Sequence, residues 1–175
     1  MCSSDLSLAT DKDELLLVSK KGMSLRFGAN NESLRATGRS TSGVIGMKFR
    51  AGDELLAMAR VDSKSDNLFV FTATDGGFGK KSALDEYRLQ NRGGIGIKAA
   101  KIDEDSRGVL VSALVISNDD EILAITSSGT VMRTDASEVR QTGRDSMGVR
   151  LVNLDSGSTL LSVTKNSENA DTVSA

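Results

Sequence analysis

An arginine followed four positions later by a glycine and then by a β-branched residue occurs three times in the 175-residue sequence: Arg39, Gly43 and Val44; Arg92, Gly96 and Ile97; Arg144, Gly148 and Val149. Glycine in a tight turn lets backbone amides come close to a bulky anion, because no Cβ stands between them. Arginine adds a planar charged fork that fits phosphate oxygens bidentately. Together they suit a sugar-phosphate backbone, touched at intervals without base readout, as in proteins that wrap DNA. For one copy alone, hairpin glycines beside solvated arginines are the favoured reading. Three copies in phase with one another and with the charge pattern favour the phosphate reading.

Other chemistry finds less support. Histidine is absent and there is one cysteine, so the commonest general base and zinc ligand are missing and no thiolate site can be completed. The acids gather in turns (DKDE at 11–14, DED at 103–105, DDE at 119–121), where solvated turn residues are the plain reading. A carboxylate hydrolase would require a pocket that draws acids from separate units. Tyr87, the one tyrosine, lacks the neighbouring base and acid cluster of a nucleophile and reads as a packing residue. Aromatic residues make up 3% of the chain, too few for a base-stacking platform.

The net charge of -2 conceals a division. Segments 20–50, 80–101 and 132–150 hold 17 of the 22 Lys and Arg but only 6 of the 24 Asp and Glu, a surplus of eleven positive charges, while the remainder has a deficit of thirteen. If the segments stack in register, they form one continuous basic band. The alternative is solubility through mixed charge.

A second marker keeps the same period. Gly22, Gly76 and Gly129 each close a polar turn after an apolar run (LLLVS, LFVFT, LAITS), and a base stands four residues beyond each: Arg26, Lys80 and Arg133. Intervals of 52 to 54 residues between copies indicate a repeated supersecondary unit of the propeller or blade-array kind. With no proline and 17 glycines, the turns rely on positive φ, as hairpin-rich β structure does. The units expected are 13–62, 63–116 and 117–165. In the first, LLLVS is a buried strand and MSLRF returns with Met23, Leu25 and Phe27 inward and Arg26 on the outer face. GVIGMKF and ELLAMARV follow as strands. SALDEYRLQ in the second unit fits either a short helical turn or an extended outer segment, the latter favoured.

Residues 1–12 are expected to be non-native or disordered, since MCSSDL reads as a translated sequencing adapter, in which case Cys2 is not a native residue; a natural disordered N-terminus is the alternative. The polar tail 166–175 is expected to be disordered. No apolar run approaches the roughly 20 residues that span a bilayer, and no signal peptide or disulfide framework is present, so a soluble protein is expected.

The segments GRSTSGVIGMKF, ITSSGTVMRT with EVRQTGRDSMGVRLVNL, and above all LDEYRLQNRGGIG resemble the C-terminal domain of the bacterial DNA gyrase A protein. The last stretch is similar to that family's GyrA box: Gln90, Arg92, Gly93, Gly94 and Gly96 match, while Asn91 and Ile95 each lack a positive charge, as in a secondary copy of the box. The related topoisomerase IV protein, with degenerate boxes, is the nearest alternative, and a propeller-like protein-interaction module the more distant one. The resemblance implies an all-β fold, three blades of a β-pinwheel with exchanged outer strands, making half of a six-bladed ring. It implies sequence-independent duplex DNA as partner, wrapped on a basic rim through Arg26, Arg39, Lys80, Lys81, Gln90, Arg92, Gly93, Gly94, Gly96, Lys98, Arg133, Arg144 and Arg150. It further implies a parent complex of two A and two B subunits in the bacterial cytoplasm, on the chromosome. Catalysis, ATP and Mg would belong to parts of that complex outside this chain, which itself would have no cofactor.

Overall fold

A computed structural model describes residues 8–166; the expectations for MCSSDL, Cys2 and nearly all of the tail lie outside these residues. The three units each build an antiparallel sheet. In the first, β1 (Glu14–Ser19) pairs with β2 (Met23–Gly28) and with β3 (Leu55–Val61). In the second, β4 (Phe69–Thr74) pairs with β5 (Phe78–Ala83) and, beyond β6 (Ile97–Lys98), with β7 (Leu110–Ile116). The third joins β8 (Glu121–Thr126) to β9 (Val131–Asp135) and, after β10 (Val149–Arg150), to β11 (Leu160–Lys165).

The outermost strands are exchanged. Strand β6 belongs by sequence to the second unit but pairs with β2 of the first; β10 belongs to the third but pairs with β5 of the second. The resulting orders are β3-β1-β2-β6, β7-β4-β5-β10 and β11-β8-β9. Strand β7 lies against both β3 and β11, so these three strands form the inner side of the array.

The continuous apolar runs follow from this arrangement. A strand covered on both faces needs no polar alternation, and the main cores lie between sheets. Leu16, Val18, Val61, Val70, Tyr87 and Leu110 pack between the first and second units, and Phe71, Ile116, Ile122, Val139, Val152 and Leu160 between the second and third. Each fully buried aliphatic side chain contributes about 1.5–3 kcal/mol. A smaller cluster, Leu17, Leu25, Phe27 and Met47, covers the first unit's other face.

Three local expectations are corrected. Ser24 is buried and Arg26 half-buried, so MSLRF has no open outer face; the exchanged β6 and the next unit cover it. GVIGMKF forms no strand in the first unit, because among the described residues no earlier sheet offers it an edge. The segment after β5 begins with a 3-10 turn, Leu84–Glu86, before extending to a parallel bridge between Leu89 and Arg26.

Candidate nucleic-acid interface

The basic residues divide by depth. Arg26 projects from β2, where Nε meets Glu14 Oε2 at 2.5 Å and Nη1 donates to the carbonyls of Leu84 (3.0 Å) and Tyr87 (3.1 Å). Lys81 is 3% exposed; its Nζ donates to Ala136 O at 2.6 Å and Asn118 Oδ1 at 2.8 Å and stands 4.9 Å from the Phe69 ring centroid. Lys80, 2% exposed, donates to the carbonyls of Gly143 (3.3 Å) and Arg144. Burial lowers the Lys80 pKa to about 8, and lowers that of Lys81 as well. The expectation that these three present charge on an outer surface is therefore corrected: their charged ends are engaged by main-chain carbonyls of the next unit, together with the Glu14 carboxylate for Arg26 and the Asn118 side chain for Lys81.

The second marker also shifts by one position. Gly77, at φ 80, occupies the turn that Gly22 occupies at φ 77 and Gly129 at φ 81, so the structural counterpart of Arg26 is Lys81, not Lys80. Arg26 stands opposite Leu16, Lys81 opposite Phe71 and Arg133 opposite Leu123, in matching registers. The Glu14 that pairs with Arg26 is replaced by Phe69 beside Lys81 and restored as Glu121 beside Arg133, whose Nη2 lies 2.5 Å from Glu121 Oε1. Arg133 is exposed on its side chain by 63%.

The arginines of the first marker join units. Arg92 donates from Nε to Ser33 O at 2.6 Å and from Nη1 to Ile45 O; Arg144 donates from Nη1 to Lys98 O. Ile45 and Lys98 hold the same position in successive copies, so the same bond fastens the second unit to the first and the third to the second. Arg144 N–H also meets Glu86 Oε2 at 2.6 Å. Both side chains stay partly accessible, whereas Arg39 is exposed. The three are thus not three equal surface cations.

Around the box, Gln90 N–H donates to Arg26 O at 2.8 Å and its Nε2 is enclosed with no hydrogen-bond partner among the described residues. Gly93 N–H donates to Gly46 O at 2.8 Å, and Gly94 O accepts from Lys48 N–H at 2.9 Å. Gly96, at φ 83, lies so close to β2 that a Cβ there would stand 2.1 Å from Ser24 O. Lys98 on β6 and Arg150 on β10 are exposed on the outermost strands, and the Arg150 guanidinium lies 4.8 Å from the Phe78 ring centroid. Lys98 also borders a cleft with Lys21, Arg50 and Lys101, in which Asp53 is the one acid. Tyr87 is buried, with its hydroxyl 3.3 Å from Ala99 O and its pKa pushed up to about 12 by burial.

The family model for the DNA gyrase C-terminal domain, beta-propeller, matches residues 13–62, 69–117 and 120–167. The chain belongs to this family. It is 56% identical over 161 residues to the DNA gyrase A protein of Streptomyces coelicolor, covering 92% of this chain and 18% of that relative. It is 48% identical over 167 residues to the DNA gyrase A protein of Mycobacterium leprae, covering 95% of this chain and 13% of that relative. The chain thus spans less than a fifth of the length of either. It superposes on a solved structure of the DNA gyrase A C-terminal domain with a TM-score of 0.80 at 30% identity, covering 90% of this chain and 52% of that one. The C-terminal domain of DNA topoisomerase IV shares the fold, with a TM-score of 0.83 at 23% identity and coverages of 92% and 49%.

Within this gyrase C-terminal fold, one set of cations escaped the sequence reading. Arg35, Arg88 and Arg140 each stand four residues before the repeated arginine, and all three are exposed. The full signature is Arg, three residues, Arg, three residues, Gly, and it is intact in every copy. The signal was available; the Arg-Gly spacing beside it is the stronger one, and it points to the arginine that joins units.

Proposed function

We propose that this chain, as a C-terminal portion of a gyrase A protein, binds duplex DNA without sequence preference along the outer edge of its blades. In that role it guides the wrap that lets a type II topoisomerase of two A and two B subunits supercoil DNA, with ATP and Mg used by parts outside this chain. The setting is the bacterial cytoplasm, on the chromosome. The observation that carries the reading is that exposed cations recur with the blades: Arg35, Arg88 and Arg140, with Lys98 and Arg150 on the exchanged outer strands. Such an array would meet phosphates at spaced points, contacts that position a duplex without carrying sequence information. Arg39 joins the array by its exposure, and Arg92 and Arg144 contribute from the joints beneath it.

Affinity for unrelated duplexes should fall steeply with salt, by on the order of a thousandfold between 50 and 200 mM if about 6 to 10 phosphates are neutralised. Replacing Arg35, Arg88 and Arg140 together by Gln should flatten the slope of log affinity against log salt by about 0.9 for each phosphate no longer neutralised, equally for every sequence. Binding that ignores salt, or a loss confined to one sequence, overturns the reading. Arg92→Ala is a poorer probe, because it also removes the bonds to Ser33 and Ile45.

A further inference from the structure

The two Arg-Gly turns that join units are built alike but meet different neighbours. In both, the residue two before the repeated arginine ties the turn to the preceding sheet, Gln90 N–H donating to Arg26 O and Thr142 N–H to Lys81 O, each at 2.8 Å. At the second joint, Glu86 reaches across from the 3-10 turn Leu84–Glu86, and its Oε2 accepts from Arg144 N–H at 2.6 Å. We propose that this amide corner is a phosphate-binding site in its own right, which the Glu86 carboxylate keeps filled and so withholds from DNA.

The peptide orientation suits an anion. In a trans peptide the N–H points away from the preceding carbonyl. Lys80 Nζ draws Gly143 O inward at 3.3 Å, so the Arg144 N–H of the same peptide is turned outward. Neighbouring carbonyls are committed to the second unit as well: Arg144 O to Lys80, Ser146 O to Lys101 N–H at 3.3 Å, and Met147 O and Gly148 O to Arg107 Nη1 at 3.2 and 2.8 Å. An oxyanion arriving from outside therefore meets an amide hydrogen rather than these oxygens, and backbone N–H groups are ordinary phosphate contacts in DNA complexes.

Space and charge agree. A Cβ on Gly143 would meet nothing within 4 Å except Glu86 Oε2, at 3.9 Å, so the carboxylate alone lies over an open flank. The charges acting at this place are Lys80 and Arg144 against Glu86 and Asp145. Without Glu86, two cations would face one acid, and an incoming anion would restore the balance.

The first joint shows that the turn itself does not need the carboxylate. Ser33 stands two residues before Arg35 as Glu86 stands two before Arg88, and Leu25 stands one before Arg26 as Lys80 stands one before Lys81. With those neutral residues the turn forms in the same way, φ 83 at Gly96 against 79 at Gly148. The carboxylate over the amide is thus particular to the second joint. Glu86, Arg88 and Arg140 are all exposed, so the corner opens onto the rim. Its bearing on DNA rests on the function proposed for that rim; its affinity for phosphate does not.

Heteronuclear NMR of the 175-residue chain titrated with inorganic phosphate, against chloride at matched ionic strength, reads the Arg144 amide directly. In Glu86→Ala that amide should shift saturably, with an apparent affinity at least about tenfold higher than in the parent. Glu86→Gln, which keeps an oxygen for the hydrogen bond and so protects the fold, should shift the same way to a smaller extent. With unrelated duplexes, Glu86→Ala should steepen the slope of log affinity against log salt by about 0.9, one phosphate more than in the parent. Asp85→Ala removes an exposed acid one residue away and should leave both the Arg144 shift and the slope as in the parent. An Arg144 amide that ignores phosphate in both Glu86 variants, or equal behaviour of Glu86→Ala and Asp85→Ala, overturns the proposal and leaves Glu86 as a counter-charge for Lys80. Phosphate binding by Glu86→Ala in a chain whose duplex affinity ignores salt would keep the corner and remove the DNA reading instead.

Discussion

Arg26 and Arg35 lie nine positions apart in one unit and carry the same guanidinium, yet they belong to different regions of the molecule. The seam between sheets encloses Arg26, Lys80 and Lys81 and commits their hydrogen bonds to carbonyls and one carboxylate. The rim exposes Arg35, Arg88, Arg140, Lys98 and Arg150. A buried cation held by several carbonyls fixes how one blade sits on the next; an exposed one leaves its field available to an anion. A charge count along the sequence adds both kinds together, and the basic surplus of the repeated segments overstates the rim accordingly.

Steric closure of the seam gives the largest way to test that division. Gly96→Ala places a methyl group 2.1 Å from Ser24 O in a backbone at φ 83, and neither strand can retreat without opening the sheet. We expect a loss of about 4 kcal/mol, measured by denaturant unfolding. Gly43→Ala, with the same backbone and no neighbour within 4 Å, should cost only about 1 kcal/mol. Equal losses would mean that the seam imposes no constraint beyond local conformation.

Arg26→Ala comes next. It strands the Glu14 carboxylate and the carbonyls of Leu84 and Tyr87, and should destabilise by about 2–3 kcal/mol, since groups left unsatisfied cost more than the bonds contributed. The Arg35, Arg88 and Arg140 substitutions described above should each change stability by less than about 0.5 kcal/mol, as exposed positions do. If Arg26→Ala left stability intact but flattened the salt dependence of DNA binding, seam and rim would have exchanged roles.

These contrasts mark what was legible in the sequence. The repeat, the buried strands and the Arg-Gly corners were, because each depends on residue types at fixed spacing. The depth of a cation was not. MSLRF alternates as a half-exposed strand would, and only the exchange of β6 across the unit boundary covers its second face. The choice between Lys80 and Lys81 turned on Gly76 and Gly77, adjacent residues of one type, of which φ singles out Gly77. Conversely, Arg35, Arg88 and Arg140 were readable, since their period is unbroken. Segment 43–47 has the sequence of an exchanged strand but joins no sheet among the described residues.

Lys80 gives the most selective probe of the seam. Its ammonium is buried with two carbonyls, and burial, opposed in part by the charges of Glu86 and Asp145, lowers its pKa to about 8 from the ordinary 10.5. Below about pH 8 the lysine is charged whether the chain is folded or not, and the folded state bears the full cost of burying that charge. Between that value and 10.5 the unfolded chain holds the proton and the folded chain has released it, so stability rises with pH through this window. The gain should reach on the order of 3 kcal/mol at most, accumulating at about 1.4 kcal/mol per pH unit across the window. Lys80→Met should remove its share of the rise and leave that due to Lys81, whose pKa burial lowers in the same direction. Urea unfolding at several pH values reads both slopes. A slope unchanged by Lys80→Met would mean that water reaches the ammonium, and that this lysine belongs with the rim after all.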